Sequence, residues 1–312
     1  MEAVLGLGVL GLGAATLGAL LGGATWPLSL LEHFRHVYLA LAVAAALTAL
    51  ALAMWRWLDA AAVIGLLNAI VLAPTCGGAP LVAQGPATPV RLVALNVHTS
   101  SAAFDEVAAL LAEARPDVLA LVEVDQRWLD ALAPALRAIG PCVRVPRDDN
   151  FGMALCARGE LRAEVWTLST GRPAIVGHAH IGEASLATVV AHPIPPIDPR
   201  LQAEQARELD ELATLARAAQ AALGPTVLVG DLNATPWSRP FVRLLAASGL
   251  RDSRAGQGVG ATFPSALGWA GLPIDHALVS PGIGVAGRHV GRDVGSDHRP
   301  VVFDLRVPIA AR

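Results

Sequence analysis

Residues 226–235 read TVLVGDLNAT: a short β-branched and apolar run, a glycine, then Asp231 and Asn233 two positions apart. An apolar run of this length reads as a strand covered on both faces, and the Gly/Asp/Asn cluster after it as a turn. The stretch therefore delivers a carboxylate and an amide to the end of a buried strand, where α/β folds assemble sites on loops. One such turn carries little weight, since Asp and Asn after a strand are turn formers more often than ligands.

The same grammar recurs on either side. RLVALNV (91–97) brings Asn96 to a strand end, VLALVEV (118–124) brings Glu123, and TVVA (188–191) is followed by His192. Downstream, Asp275 and His276 sit in PIDHALVS (273–280), and Asp297 and His298 sit in GSDHRP (295–300), directly before VVFDL. Further strands are expected at 142–146, 151–157, 163–169, 174–181, 185–192, 274–280 and 300–307. A helix capped by Ser101, with Asp105 and Glu106 in its first turn, and a long one from Arg200 to Leu223 complete the pattern. Many strands with few helices between them predict an α/β fold with mixed sheets. Carboxylates, amides and imidazoles gathered on one rim form a hard-oxygen site with general bases beside it. Such a site suits Mg2+ or Mn2+, which keep coordination positions open for a substrate phosphate.

In order, the pieces are LNV with Asn96, LVEV with Glu123, AHP with His192, GDLNA with Asp231 and Asn233, IDHALVS with Asp275, and SDHRP with Asp297 and His298. With them the chain from about Arg91 to Val307 resembles the endonuclease/exonuclease/phosphatase superfamily. Singly each piece is weak; six in order, each beside an expected strand, make a strong signal. The resemblance implies a four-layer sandwich, two mixed β-sheets packed face to face with helices outside. It implies a metal-dependent phosphoric ester hydrolase acting as nuclease, phosphodiesterase or phosphatase. Glu123 is then the principal metal ligand, with Asn96 and Asp297 completing or orienting the metal site. Asp231 positions or deprotonates the attacking water, and Asn233 hydrogen-bonds the phosphoryl oxygens. His298 polarises the phosphate and carries a proton, oriented by Asp275, while His192 binds the phosphate or helps the leaving group. Many relatives have Asp-Tyr where this chain has Asp275-His276, a change of neighbour that leaves the role of Asp275 intact. Asn150 and Gly152 in DDNFGMAL (148–155) resemble a family segment beside the active site, Asn150 being either a substrate contact or a plain turn residue.

Ahead of this region lie three apolar segments. Ala3–Leu21 and Val37–Trp55 are each about 19 residues, enough at 1.5 Å per residue to cross a hydrocarbon core of roughly 30 Å. Ala60–Ala73 is shorter, about 14 residues, and polar breaks at Glu32–His36 and Arg56–Asp59 separate the three. Residues 1–73 are expected to be a membrane anchor of three transmembrane helices, or of two with an interfacial segment. Residues 74–90 form a Pro/Gly/Ala-rich linker, and 91–312 the catalytic domain. Met1-Glu2 lacks the basic start of a cleaved signal peptide. Arg56, held tightly between two spans, favours the cytoplasmic side, so three spans place everything after Pro74 outside. The arrangement resembles a bacterial membrane-anchored branch of the family, and the expected location is the inner membrane with the catalytic domain extracytoplasmic.

Residues 1–73 hold two of the 23 basic and three of the 26 acidic side chains, so the remainder is nearly neutral. That argues mildly against a nonspecific nucleic-acid binder, which needs a basic surplus. The substrate stays open among nucleic acid, phospholipid and small phosphate esters, and no obligate protein partner is evident beyond the bilayer itself. Cys76, Cys142 and Cys156 show no zinc-site spacing. A hairpin turning at Asp148–Asn150 sets Cys142 opposite Cys156, within disulfide reach if the compartment is oxidising. His98, His178, His180 and His289 match none of the motifs and read as surface or packed residues; Trp237 reads as a packing residue or pocket wall. A catalytically inactive binding or scaffolding protein on the same fold would have lost site residues, and none of the eight is missing. A transporter would carry ionisable groups at mid-span, whereas here charges lie at the breaks.

Overall fold

The computed structural model describes residues 1–22 and 25–309, so the last three residues of the expected catalytic domain lie outside it. Helices α1 (Glu2–Leu21), α3 (Arg35–Ala51) and α4 (Trp55–Cys76) pack together through Val9, Ala42, Ala61 and Ile64, and the short α2 (Leu28–Leu31) lies against α1. Three stretches, Glu2–Leu21, Leu28–Ala51 and Trp55–Thr75, are long and apolar enough to cross a membrane. Their outward side chains, among them Leu7, Leu10, Leu47, Val63 and Leu66, are exposed leucines and valines, as suits a helix whose solvent is lipid. The third helix is longer than expected. Arg56 and Asp59 fall in its first turns, and the chain reverses at Leu52–Met54 instead. Arg56 Nη2 lies 2.6 Å from Glu2 Oε1, so the start of α1 and the start of α4 share one end of the bundle. The α1–α3 connector and the end of α4 share the other.

From there the chain runs β1 (Ala87–Asn96), α5 (Phe104–Ala114), β2 (Val118–Val122), α6 (Gln126–Ala131), α7 (Ala133–Ile139), β3 (Cys142–Val145) and β4 (Met153–Ala157). It continues through β5 (Glu160–Thr167), β6 (Pro173–Ile181), β7 (Ala184–Ala191), α8 (Pro199–Leu223), β8 (Thr226–Asp231), α9 (Arg239–Ser248), β9 (Arg251–Asp252), β10 (Asp275–Val279), β11 (Gly284–Val290) and β12 (Val301–Pro308). Two six-stranded sheets result, ordered β11-β12-β1-β2-β4-β3 and β5-β6-β7-β8-β10-β9. Both are mixed: β1–β2 and β7–β8 are parallel, joined by the crossover helices α5 and α8. Between the sheets pack Leu92, Val122, Met153, Leu155, Ile175, Val190, Val229 and Phe303. The outer face of the first sheet is covered by α5–α7 around Trp128, and that of the second by α8 and α9 around Leu209, Leu212 and Phe241. With both faces covered, the central strands have to be apolar throughout, which is why they read as unbroken runs. Asp198 starts α8 by accepting from Leu201 N at 2.8 Å, with Pro199 in the first turn.

Several details differ from expectation. β1 begins at Ala87, inside the expected linker, because its pairing with β12 extends to Ala87↔Pro308. Leu81 is likewise buried, and its carbonyl accepts from Val285 N at 2.7 Å. Ser101 does not cap α5; its hydroxyl donates to Gly295 O at 2.8 Å. β11 is a strand without a sequence signature, its pattern broken by Gly287 and a bulge between Val285 and Gly287. Cys142 and Cys156 are register partners on β3 and β4 and form a disulfide, their Cα atoms 4.1 Å apart.

Candidate active site

All eight residues singled out in the sequence come from strand ends or the loops just beyond them, on one rim of the sandwich. Asp231 closes β8, and Gly230 before it is required: its φ is +143°, and a Cβ there would stand 2.0 Å from Ala191 O. Glu123 and Asn233 adopt the left-handed conformation, at φ +60° and +50°. Asn tolerates this readily, whereas for Glu it costs about 1–3 kcal/mol that the surroundings must offset. Thr99 does part of this, its hydroxyl donating to Glu123 O at 3.0 Å.

The Glu123 carboxylate is held from three directions. Asn96 Nδ2 donates to Oε1 at 2.7 Å, Thr99 N to Oε2 at 3.3 Å, and His192 Nε2 lies 3.4 Å from Oε1. Burial pushes its pKa up, but these donors outweigh burial and bring it down to about 2. Asn96 also donates to Asp231 Oδ2 at 3.2 Å, and its Oδ1 accepts from His98 N at 2.9 Å. With the amide nitrogen between two carboxylates and the oxygen on a backbone N–H, its orientation is fixed by its partners. Asn96 therefore orients Glu123 and Asp231, and its oxygen is already engaged.

His298 bridges two acids. Its Nδ1 donates to Asp275 Oδ2 at 2.9 Å, and its Nε2 lies 3.5 Å from Asp231 Oδ2. Burial disfavours the imidazolium, yet Asp275 and Asp231 more than offset it, and its pKa is pushed up to about 10. The same contacts draw the Asp275 carboxyl below its ordinary value against the effect of burial, while burial carries Asp231 upward. His192 donates from Nδ1 to Asp231 O at 3.1 Å, and Glu123 and Asp231 outweigh burial and raise its pKa. Both its ring nitrogens are committed inside the site. Asn233 Nδ2 donates to Pro193 O at 2.9 Å, leaving one N–H of the amide for a ligand.

Among the described residues, Asp231, Asp275 and His298 offer ligand atoms that lie within 4.8 Å of one another. Without an ion beside it, the imidazole of this trio is stabilised as a cation by both acids. Two further oxygen donors stand on the same rim: Glu123, ionised, and Asp297, whose Oδ1 has no hydrogen bond and lies 3.4 Å from His98 Nδ1. Carboxylate oxygens of this kind are the ligand chemistry of Mg2+ or Mn2+, so the residues present fit such an ion.

Supporting residues were not legible in advance. Ser296 accepts from His298 N at 3.1 Å and donates to Asn96 O at 2.7 Å, tying β1 to the Asp297 loop. Glu208, fully buried on α8, accepts from Ile194 N at 2.8 Å and so holds the loop after His192. Phe263 packs on the His298 ring at 4.7 Å, and Phe151 on His192 at 5.4 Å. None of these carries a motif; His98, read as ordinary, followed Asn96 by two positions. Asn150 occupies a left-handed turn (φ +67°) and is exposed. Gly152 is needed for packing, since a Cβ there would meet Val124 O at 1.9 Å. His276 is buried and held neutral by burial and Arg254; its Nε2 donates to Ala234 O at 2.7 Å, bracing the loop after Asp231. Trp237 is a packing residue, its Nε1 donating to Glu32 O at 2.7 Å.

The sequence profile of the Endonuclease/Exonuclease/phosphatase family matches residues 93–298, a span containing all eight residues. Among solved structures, the chain is similar to the 3′ phosphatase NExo from Neisseria bound to a product DNA hairpin. Identity is 22%, the TM-score 0.57, and coverage 71% of this chain and 100% of that one. It is similar to an endonuclease/exonuclease/phosphatase from Beutenbergia cavernae, at 21% identity and TM-score 0.56 over 72% of this chain and 74% of the other. It is also similar to D. rerio TDP2 complexed with a single-strand DNA product, at 13% identity and TM-score 0.55 over 70% and 99% of the two chains. No curated protein matches. At these identities the solved structures bear on the fold.

Proposed function

The chain belongs to the endonuclease/exonuclease/phosphatase family, and from that premise we propose that it is a membrane-anchored phosphoesterase dependent on Mg2+ or Mn2+. One observation carries the reading: His298, charged and lodged between Asp275 and Asp231, stands on the same rim as the ionised Glu123 and the Asp297 carboxylate, whose Oδ1 has no hydrogen bond. In-line hydrolysis of a phosphate ester needs neutralised non-bridging oxygens, a directed water and a stabilised leaving oxygen. Glu123 and Asp297 would hold a divalent ion, which when bound supplies Lewis-acid neutralisation of the phosphate. Asp231, its pKa raised by burial, directs the water and takes its proton. Asn233 offers its free N–H to a phosphoryl oxygen, and His298 donates to the phosphate or to the departing oxygen while Asp275 orients it. His192 keeps Glu123 ionised and braces Asp231. The DNA-bound products in NExo and TDP2 support a phosphate-ester substrate.

The apolar helices serve as the anchor, with the inner membrane as location and the catalytic domain extracytoplasmic. The Glu2–Arg56 pair supports this by setting the N-terminus and Arg56 at the end of the bundle away from the catalytic domain. Assay of the full-length protein with Mg2+ on plasmid DNA, RNA, phospholipid and small phosphate esters tests the activity. Hydrolysis abolished by EDTA is expected; a folded protein inert on every substrate with either metal contradicts the proposal.

A further inference from the structure

The loops that carry the site are also the loops that meet the apolar bundle. Thr235, two residues past Asn233, has Oγ1 3.0 Å from His33 Nδ1. Gly271 accepts from His36 Nε2 at 2.9 Å, at the end of a turn that begins with Ser265 N donating to Asp297 O at 2.7 Å. Gln202, in the first turn of α8 beyond His192, donates to Ser29 Oγ at 2.7 Å. Residues 29–36 lie where α1 gives way to α3, so the catalytic rim faces one end of the bundle. With the three helices in a bilayer, that rim is held at the bilayer surface.

Three large apolar side chains stand uncovered on these loops: Ile197 at 66% exposed, Leu267 at 56% and Trp269 at 70%. Ile197 follows His192 by five residues, and Leu267 and Trp269 lie between Phe263, which packs on His298, and Gly271. Scattered exposed apolar residues need no explanation, but these lie on the segments whose Gly271 and Gln202 contact residues 29–36. Trp at that level, and aliphatic side chains beside it, suit the interface between headgroups and acyl chains.

We propose that the site acts on a phosphate ester borne by a lipid of the same bilayer, with Ile197, Leu267 and Trp269 seated in the interface around its mouth. The proposal rests on the phosphoesterase reading above. A water oxygen bonds to phosphorus as the P–O bond to the leaving alcohol breaks. One water proton passes to Asp231, the other stays on the phosphate, and His298 gives its proton to the leaving oxygen. The products are an alcohol and a phosphate with one fewer ester bond.

The test uses the full-length protein in phosphatidylcholine vesicles with Mg2+. Phosphatidic acid and phosphatidylglycerol are offered in the vesicles. Glycerol 3-phosphate, glycerophosphoglycerol and a single-stranded DNA carrying a 3′ phosphate are offered in solution at equal bulk concentration. At least one lipid should be hydrolysed about tenfold or more faster than its soluble counterpart. That ratio should fall about tenfold in Trp269→Ser and in Leu267→Ser, the scale of losing one buried apolar side chain. DNA or a soluble ester turned over faster than either lipid overturns the lipid proposal and leaves the phosphoesterase reading standing. No hydrolysis of any substrate overturns that reading and the proposal with it. A ratio unmoved by Trp269→Ser, Leu267→Ser and Ile197→Ser combined removes these side chains from the role.

Discussion

Asp231 and Asp275 are direct cross-strand partners, the last residue of β8 facing the first of β10, both almost wholly buried. Like charges in that register repel, and what makes the pair tolerable is His298, within 3.5 Å of one acid and 2.9 Å of the other. The three side chains form one electrostatic unit, and losses within it are not independent.

His298→Ala and Asp231→Asn should each lower kcat by about 10²–10⁴, the scale of a positioned acid–base or charge-stabilising group. Asp275→Asn should cost less, and adding it to His298→Ala should cost little more, because orienting an absent imidazole achieves nothing. Additive losses in the Asp275/His298 double-mutant cycle contradict the assignment.

The charge on His298 also fixes a pH dependence. Burial opposes its charging, and Asp275 and then Asp231 hold its pKa up at about 10. In Asp275→Asn the larger of these supports is gone, so the folded-state pKa falls and the proton is lost at lower pH. The alkaline limb of kcat/KM should accordingly move to lower pH in Asp275→Asn. A limb that stays in place or moves upward rules out His298 as the group responsible.

Glu123→Ala should reduce turnover severely and weaken its dependence on Mg2+ concentration, since it removes an ionised oxygen ligand. Asn96→Ala should do the same more mildly, because Asn96 aims the carboxylate at 2.7 Å without spending its own oxygen on the ion. Titrating Mg2+ into both variants and measuring initial rates separates the two. Equal shifts in apparent metal affinity would make Asn96 a ligand in its own right.

Cys142 and Cys156 are bonded, a pairing that oxidising compartments favour. Protein taken from membranes under alkylating, non-reducing denaturation should label one of its three cysteines, and all three after reduction. An alkaline phosphatase fused after Val90 should be active, and one fused at Arg56 inactive. The reverse pattern, or three labelled thiols without reduction, places the catalytic domain in the cytoplasm.

The strands that carry the site were readable because each is buried on both faces and ends in a polar residue, as in VLALVEV and TVLVGDLN. β11 was not, because an edge strand needs one apolar face and Gly287 with its bulge interrupts even that. Glu123 was visible as a carboxylate after a strand, but nothing in the sequence announced its left-handed backbone or the Thr99 hydroxyl that secures it. Contacts such as Glu208 to Ile194 N join positions 14 residues apart through the fold of α8 against its own preceding loop. They depend on packing, which no local pattern encodes.

β12 lies inside the first sheet, between β11 and β1, and Asp297 and His298 immediately precede it. Among the described strands β12 thus joins the sheet begun by β1, and it brings in two of the eight site residues. A nascent chain that has not yet added residues 301–308 has an open sheet edge on β1 and no fixed place for His298. The place of Asp297 and His298 on the rim is therefore set by the pairing of β12 with β1, two strands from opposite ends of the domain.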